Sequence, residues 1–389
     1  VLAFKAVQQH YVPDNSILGL LEHFRQMIND CVRIGVTEDL TSLKALSLRA
    51  YSLLTGFDAM SYYKLCAISA ATGILRNYRK AKRKNPQTKE PYARKLRLTT
   101  CYGIKIRDGS LLLPFRPREL IRIPLTPHVQ ATIKRRTVRS VTLTRDRLSL
   151  SIARQAVEIK PRGFIGIERN LDNVTLADTD GSIVKHDLAE ATRAKAVYCD
   201  VRSHMRRNDV RIRHEVSRKY GCKQREKVKQ ILHHASKMIV QQAKEQQFGL
   251  VMERLTNIRR TYRRGNQQGR WYRGRMNSWS YGELQRQIEY KARWNGIPVI
   301  YVNPYGTSAK CSTCGHRMKP EENRTLKCSS CRCTVDRDVN AARNILARGV
   351  RFAPIALPTE AMVQEPIACG NPESRWERVN KLKPHEPTS

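Results

Sequence analysis

The chain has 389 residues, enough for two to four domains with sizeable cores. Its 72 Lys and Arg against 34 Asp and Glu leave a formal charge of +38, an excess that calls for a polyphosphate partner such as DNA or RNA. No apolar run approaches the roughly 20 residues that span a bilayer, and the opening VLAFKAVQQHY alternates like a strand, so neither a membrane partner nor a secretory signal is expected.

Residues 1–10 read as one strand. From Asn15 to about Leu75 the apolar spacing is helical, with Ile17, Leu20, Leu21, Phe24, Met27, Ile28 and Cys31 on one face. A basic linker is predicted over 77–95, where Pro86 and Pro91 block a continuous helix. Residues 96–157 are β-rich, and Pro161–Arg162–Gly163 punctuates the chain. The stretch GFIGIERNLDNVTLADTDGSIV (163–184) predicts three short antiparallel strands with hairpin turns. Its first apolar run (Phe164, Ile165, Ile167) stops at Glu168. An acid there is costly to bury unless paired or bound to metal; a solvated strand edge is the plain alternative.

A basic helical region follows at about 188–246, then a short strand, FGLVME, that again closes on an acid, Glu253. Residues 256–275 carry seven Arg and no acid. The composition predicts a mobile loop along a phosphate backbone, with Arg259, Arg260, Arg263, Arg264, Arg270 and Arg273 as contacts and Tyr262, Trp271 and Tyr272 free to stack on bases. The alternative is a loop that only aids solubility. A helix (Tyr281–Trp294), a strand (298–302), a cysteine cluster, a helix (about 337–348) and a Pro-containing tail (349–389) complete the chain, with no internal repeat.

Five of the 11 cysteines fall within 311–333, and Cys31, Cys66, Cys101, Cys199, Cys222 and Cys369 are scattered. Clustering at short spacing points to metal rather than disulfides. CSTC (Cys311, Cys314) and CSSC (Cys328, Cys331) are two C-x2-C knuckles, and four thiolates make a closed, structural Zn2+ site. Cys333 and His316 are spare; Cys333 is the weaker alternative ligand, since it breaks the symmetry of the two knuckles.

A third acid completes a pattern. TVDRDVNAARNIL places Asp336 and Asp338 at a helix start, where acids ordinarily cap. Together with Glu168 and Glu253, however, they fit a ribonuclease-H-like core, whose carboxylates hold two divalent metals about 3.5–4 Å apart. NSWSYGELQRQIEYKARWNGIPVIYVNPYGTSAKCSTCG, followed by CSSC and DRDVNAARNIL, resembles the C-terminal half of the transposon-associated TnpB proteins, compact relatives of type V CRISPR effectors.

The resemblance implies an α/β multidomain fold. Residues 1–10 and 96–160 would form a wedge β-barrel, with a helical recognition insert at 11–95. Residues 163–304 and 334–348 would form a RuvC nuclease core carrying a zinc ribbon at 305–333. It also implies RNA-guided cleavage of DNA beside a short target-adjacent motif, with guide RNA and target DNA as partners and Mg2+, two ions, as catalytic cofactor. The setting would be prokaryotic cytoplasm at the nucleoid. Residue by residue, Glu253 matches the family's strand-end glutamate, Asp338 its last catalytic aspartate and Asp336 an accessory acid. Glu168 occupies the place of the first aspartate and is one methylene longer. Asp172, in the hairpin turn, is a poor substitute. An RNA-guided DNA-binding protein with an impaired nuclease, and a transposase acting without RNA, are the competing readings.

Overall fold

The computed structural model describes residues 1–116, 118–205, 209–263 and 267–351. Two compact units divide the described chain, one from Phe4–Arg154 and the other from Val1–Ala3 with residues 155–351.

In the first unit β1 (Leu2–His10) is followed by three helices, α1 (Asn15–Thr37), α2 (Leu43–Ala50) and α3 (Ser61–Lys84). The Asp14 and Ser42 side chains accept from the Ile17 and Ala45 amides and so cap α1 and α2. The apolar face read from the sequence is buried: Ile17, Leu20, Leu21, Phe24, Met27, Ile28 and Cys31 all lie in the core, against Tyr63, Ala67, Ile68, Ala71 and Leu75 of α3. The basic linker starts later than predicted. Helix α3 continues to Lys84, because RNYRKAKRK is made mostly of good helix formers and its last-turn cations complement the helix dipole. It stops at Asn85, the residue that Pro86 forces out of the helical region.

Two antiparallel sheets follow. β2 (Arg97–Thr100), β6 (Thr137–Thr144) and β7 (Arg147–Gln155) join β1 in the order β1-β7-β6-β2, while β3 (Lys105–Arg107), β4 (Ser110–Arg116) and β5 (Glu119–Pro124) form a second sheet. Between β5 and β6 lies a short helix, α4 (Pro127–Ile133), absent from the sequence reading.

The second unit is built on one sheet. β8 (Gly163–Arg169), β9 (Asn173–Asp178) and β10 (Ile183–Asp187) are the three predicted antiparallel strands. Helices α5 (Ala189–Ser203) and α6 (Ser217–Glu245) lead to β11 (Phe248–Glu253). Then come α7 (Arg270–Ser278), α8 (Tyr281–Trp294) and β12 (Val299–Val302). The order is β10-β9-β8-β11-β12, with β11 parallel to both β8 and β12. A small sheet of β13 (Met318–Pro320), β14 (Thr325–Cys328) and β15 (Thr334–Asp336) precedes the helix α9 (Arg337–Arg351).

Alternation along the strands decides what each face of the main sheet carries. Ile165 and Ile167 of β8, with Leu250 and Met252 of β11, pack with Val228, Leu232 and Ile239 of α6 and Leu284 and Ile288 of α8. Gly166 and Val251, paired across the strands, turn to the other face, where α9 lies. A Cβ on Gly166 would stand 2.4 Å from the Ala342 carbonyl oxygen, so only glycine lets α9 approach so closely. Among the described residues no helix is long and apolar enough to cross a membrane.

Candidate active site

The same alternation puts Glu168, two residues past Gly166, and Glu253, two past Val251, on the α9 face. Because β8 and β11 run parallel, both acids close their strands at the same end of the sheet. Asp338, in the first turn of α9, supplies the third carboxylate and is almost wholly buried.

The other two predicted acids act on Glu168. Burial, then the Glu253 charge and, further down, Asp338, push Glu168 up to about 8. Its Oε2 is shut from solvent and has no hydrogen-bond partner, so the solvated-edge alternative does not hold. Burial also raises Glu253, against a hydrogen bond from Thr307 (2.5 Å to Oε1) and the charges of Arg169 and Arg348.

Two arginines that the sequence reading missed serve this cluster. Arg169 is buried on the opposite face, donating to the Glu253 carbonyl (2.6 Å), Gln285 Oε1 (2.6 Å) and the Tyr281 carbonyl (3.4 Å). Arg324, at the tip between β13 and β14, donates to Asp338 Oδ1 at 2.5 Å. No periodic signal marks either residue; Arg169 stands out only as a charge beside a charge in an apolar strand.

Asp336 caps α9, its Oδ1 accepting from the Asp338 and Val339 amides, and its Oδ2 pairs with Lys185 at 3.0 Å. Burial would raise this carboxyl, but the lysine and the two amides outweigh it and hold it below its ordinary value. Asp172 faces Arg275 at 3.5 Å and stays apart from the cluster's hydrogen bonds.

The thiols of Cys311, Cys314, Cys328 and Cys331 lie within 4.8 Å of one another, the only such group of three or more metal-ligating side chains among the described residues. Each knuckle closes in the same way: the Cys311 amide donates to the His316 carbonyl (2.8 Å) and the Cys328 amide to the Cys333 carbonyl (2.9 Å). Gly315 takes the positive φ that such a turn needs, +77°, and Arg332 occupies the matching place at +59°. Burial would raise the Cys311 thiol, but the Cys314 and Thr313 amides bring it down to about 6, toward the thiolate that a metal takes. The donor set could hold zinc. Cys333 packs with Met318 and Leu326 beside the cluster, and neither it nor His316 joins the four.

Part of the Arg-rich segment is helical where a loop is expected. Residues 270–278 form α7, and Tyr262 is buried, so it is not free to stack on a base. Arg259, Arg260, Arg263 and Arg270 are exposed, as are Trp271 (74%) and Tyr272 (43%), while Arg273 is half-buried. Arg264 lies outside the described residues, as do Cys369 and residues 352–389 of the tail.

Comparison with known proteins gives the family and the fold. Residues 281–345, from α8 through the cysteines into α9, match the family model "Cas12f1-like, TNB domain". TnpB-like protein MJ0751 of Methanocaldococcus jannaschii is 30% identical over 217 residues, 53% of this chain and 77% of the relative. A CRISPR-associated endodeoxyribonuclease, Cas12f1 of Sulfoacidibacillus thermotolerans, is 38% identical over 116 residues, covering 29% of this chain and 25% of that one. Among solved structures, a Cas12f1-sgRNA-target DNA complex shares the fold with a TM-score of 0.61 at 16% identity, over 85% of this chain and 82% of the other. The class is thus that of the compact Cas12f-like folds. The chain belongs to the TnpB family.

Proposed function

We propose that the chain is an RNA-guided DNA endonuclease, cutting beside a short target-adjacent motif with Glu168, Glu253 and Asp338 as its RuvC-type acids. The observation that supports the reading is that Glu168 and Glu253 close parallel strands on the face covered by α9, that Asp338 in the first turn of α9 is near enough for its charge to act on Glu168, and that Glu168 Oε2 is buried and unpartnered. Such a group is costly in a folded protein unless a cation completes it. An all-oxygen donor set suits magnesium, which when bound activates the attacking water and neutralises charge on the leaving oxygen.

The chain's own residues prepare that site. Arg169 fixes the backbone at Glu253, Asp336 sets the first turn of α9 and so the place of Asp338, and Arg324 covers the Asp338 charge. The four thiolates hold a structural zinc. The exposed arginines of residues 259–273, with Trp271 and Tyr272, lie along the phosphates and bases of a guide–target hybrid, whose sequence is read by pairing rather than by the protein. The sheets and helices of the first unit serve as wedge barrel and recognition insert, a role supported by the family resemblance.

One observation favours a second reading, an RNA-guided binder with impaired cleavage. Glu168 is longer than the aspartate expected there and is held protonated up to about 8. Sequencing the RNA that copurifies and assaying the complex on plasmid DNA with magnesium tests both. Guide RNA with cleavage supports the nuclease, guide RNA with binding alone supports the binder, and absence of RNA defeats both.

A further inference from the structure

Thr307 sits in the turn between β12 and the four-cysteine segment and is almost wholly buried. Its hydroxyl lies 2.5 Å from Glu253 Oε1 and 2.9 Å from the Pro304 carbonyl. A hydroxyl has one proton to give, and the shorter, carboxylate contact takes it. The Thr307 carbonyl accepts from Asn344 Nδ2 at 2.8 Å, and the same amide reaches the Lys310 carbonyl at 2.7 Å. One turn earlier on α9, Asn340 is fully buried. It donates to the Lys310 carbonyl (2.8 Å) and accepts from the Ser312 amide (2.9 Å), the residue after Cys311. Asn340 and Asn344 are four apart and therefore share one face of α9, two and six residues beyond Asp338.

We propose that Thr307 is a positioning residue for Glu253, itself held by Asn344 while Asn340 ties down the following residues Lys310 and Ser312, so that order in the four-cysteine segment is transmitted to the acid that closes β11. The proposal rests on reading Glu253 and Asp338 as cation ligands. Its physical content is simple. A carboxylate that accepts a fixed hydrogen bond keeps one rotamer, and its cation affinity depends on that orientation. The four-cysteine segment reaches the cluster by two routes, Thr307 where it begins and Arg324 at its tip.

The test uses the full chain with its copurified RNA and measures Mn2+ binding by calorimetry, beside the Mn2+ dependence of cleavage. Thr307→Val keeps the shape without the donor and should weaken Mn2+ binding about tenfold or more. Zinc content should not change, and saturating Mn2+ should recover most of the cleavage rate. Thr307→Ser, which restores the donor, should return affinity to within about threefold of the parent, and Asn344→Ala should fall between. Should Thr307→Val fold poorly, the Ser variant decides: restored affinity supports the role and unrestored affinity overturns it. Asp338→Ala separates the two layers. If Asp338→Ala loses Mn2+ binding while Thr307→Val keeps the parent's affinity, the positioning role fails alone. If Asp338→Ala also binds as the parent does, the acid-site reading fails and takes the positioning role with it.

Discussion

Four thiols and three carboxylates occupy the same unit and are gathered in opposite ways. The thiols come from one stretch, residues 311–331, through two local turns, and close to within 4.8 Å. The carboxylates come from two parallel strands and a helix, spread from Glu168 to Asp338, and share one side of the sheet only because the strand register and a close approach at glycine bring those elements together. The thiol cluster is a closed donor set. The acid cluster keeps a buried oxygen without a partner, Glu168 Oε2. A site assembled locally can be complete in itself, whereas one assembled through the fold can retain unmet valence for chemistry.

The largest expected effect breaks the acid side alone. Asp338→Ala or Glu253→Gln should lower cleavage by at least about a hundredfold, with guide and target binding retained. A filter-binding assay run beside the cleavage assay checks this, and equal loss of binding would show that the acids serve the fold instead. Cys311→Ser or Cys328→Ser should break the thiol side. Zinc held there would contribute folding energy, on the order of 10 kcal/mol, so soluble yield and Tm should fall together with zinc content.

A pH series sharpens the contrast. Glu168 is protonated below about 8 in the cation-free chain, and a bound cation displaces that proton. Apparent Mn2+ affinity should therefore rise with pH up to about 8, by at most about tenfold per unit, and level off above. Stability of the cation-free chain runs the other way. An acid whose folded pKa exceeds its unfolded value stabilises while protonated, so this contribution is full below about 4.5 and is lost as pH climbs through about 8. A flat Mn2+ profile between pH 6 and 8 would remove Glu168 from the site.

Glu168→Asp should leave cleavage level or raise it, most visibly with magnesium, whose octahedral geometry is demanding. Single-turnover rates in the two metals check the direction. Neutralising Arg259, Arg260, Arg263 and Arg264 together should weaken binding to every sequence and flatten its salt dependence by about 0.7–0.9 log units for each phosphate left without its arginine. Unchanged slopes would reduce that segment to a tether.

What could be read in advance follows the same division. The cysteine knuckles, the three strands at 163–187 and the apolar face of α1 were legible because each is a short-range pattern. Glu168, Glu253 and Asp338 were legible as acids at element ends, but their common face depended on the parallel pairing of Val251 with Gly166, which no local window contains. Arg169 and Arg324 went unread because an arginine in so basic a chain carries little signal. Tyr262 was misjudged as a free aromatic, since composition alone does not tell which ring of a basic segment turns inward.

The hydrogen bond from Asn340 to Lys310 has a topological consequence. It ties the start of α9 to the start of the four-cysteine excursion, so the excursion is a loop whose ends the fold already holds together. Closing a longer loop between fixed ends costs only about 0.6 kcal/mol for each doubling of length. The turn after β13 is thus a place where this chain could accept extra residues, or a grafted domain, at little cost to folding. Arg324 sets the limit. It sits in that turn with its guanidinium on Asp338, so an insertion on the β13 side of Arg324 leaves the ion pair in reach, whereas one that carries Arg324 outward takes a cation away from the acids.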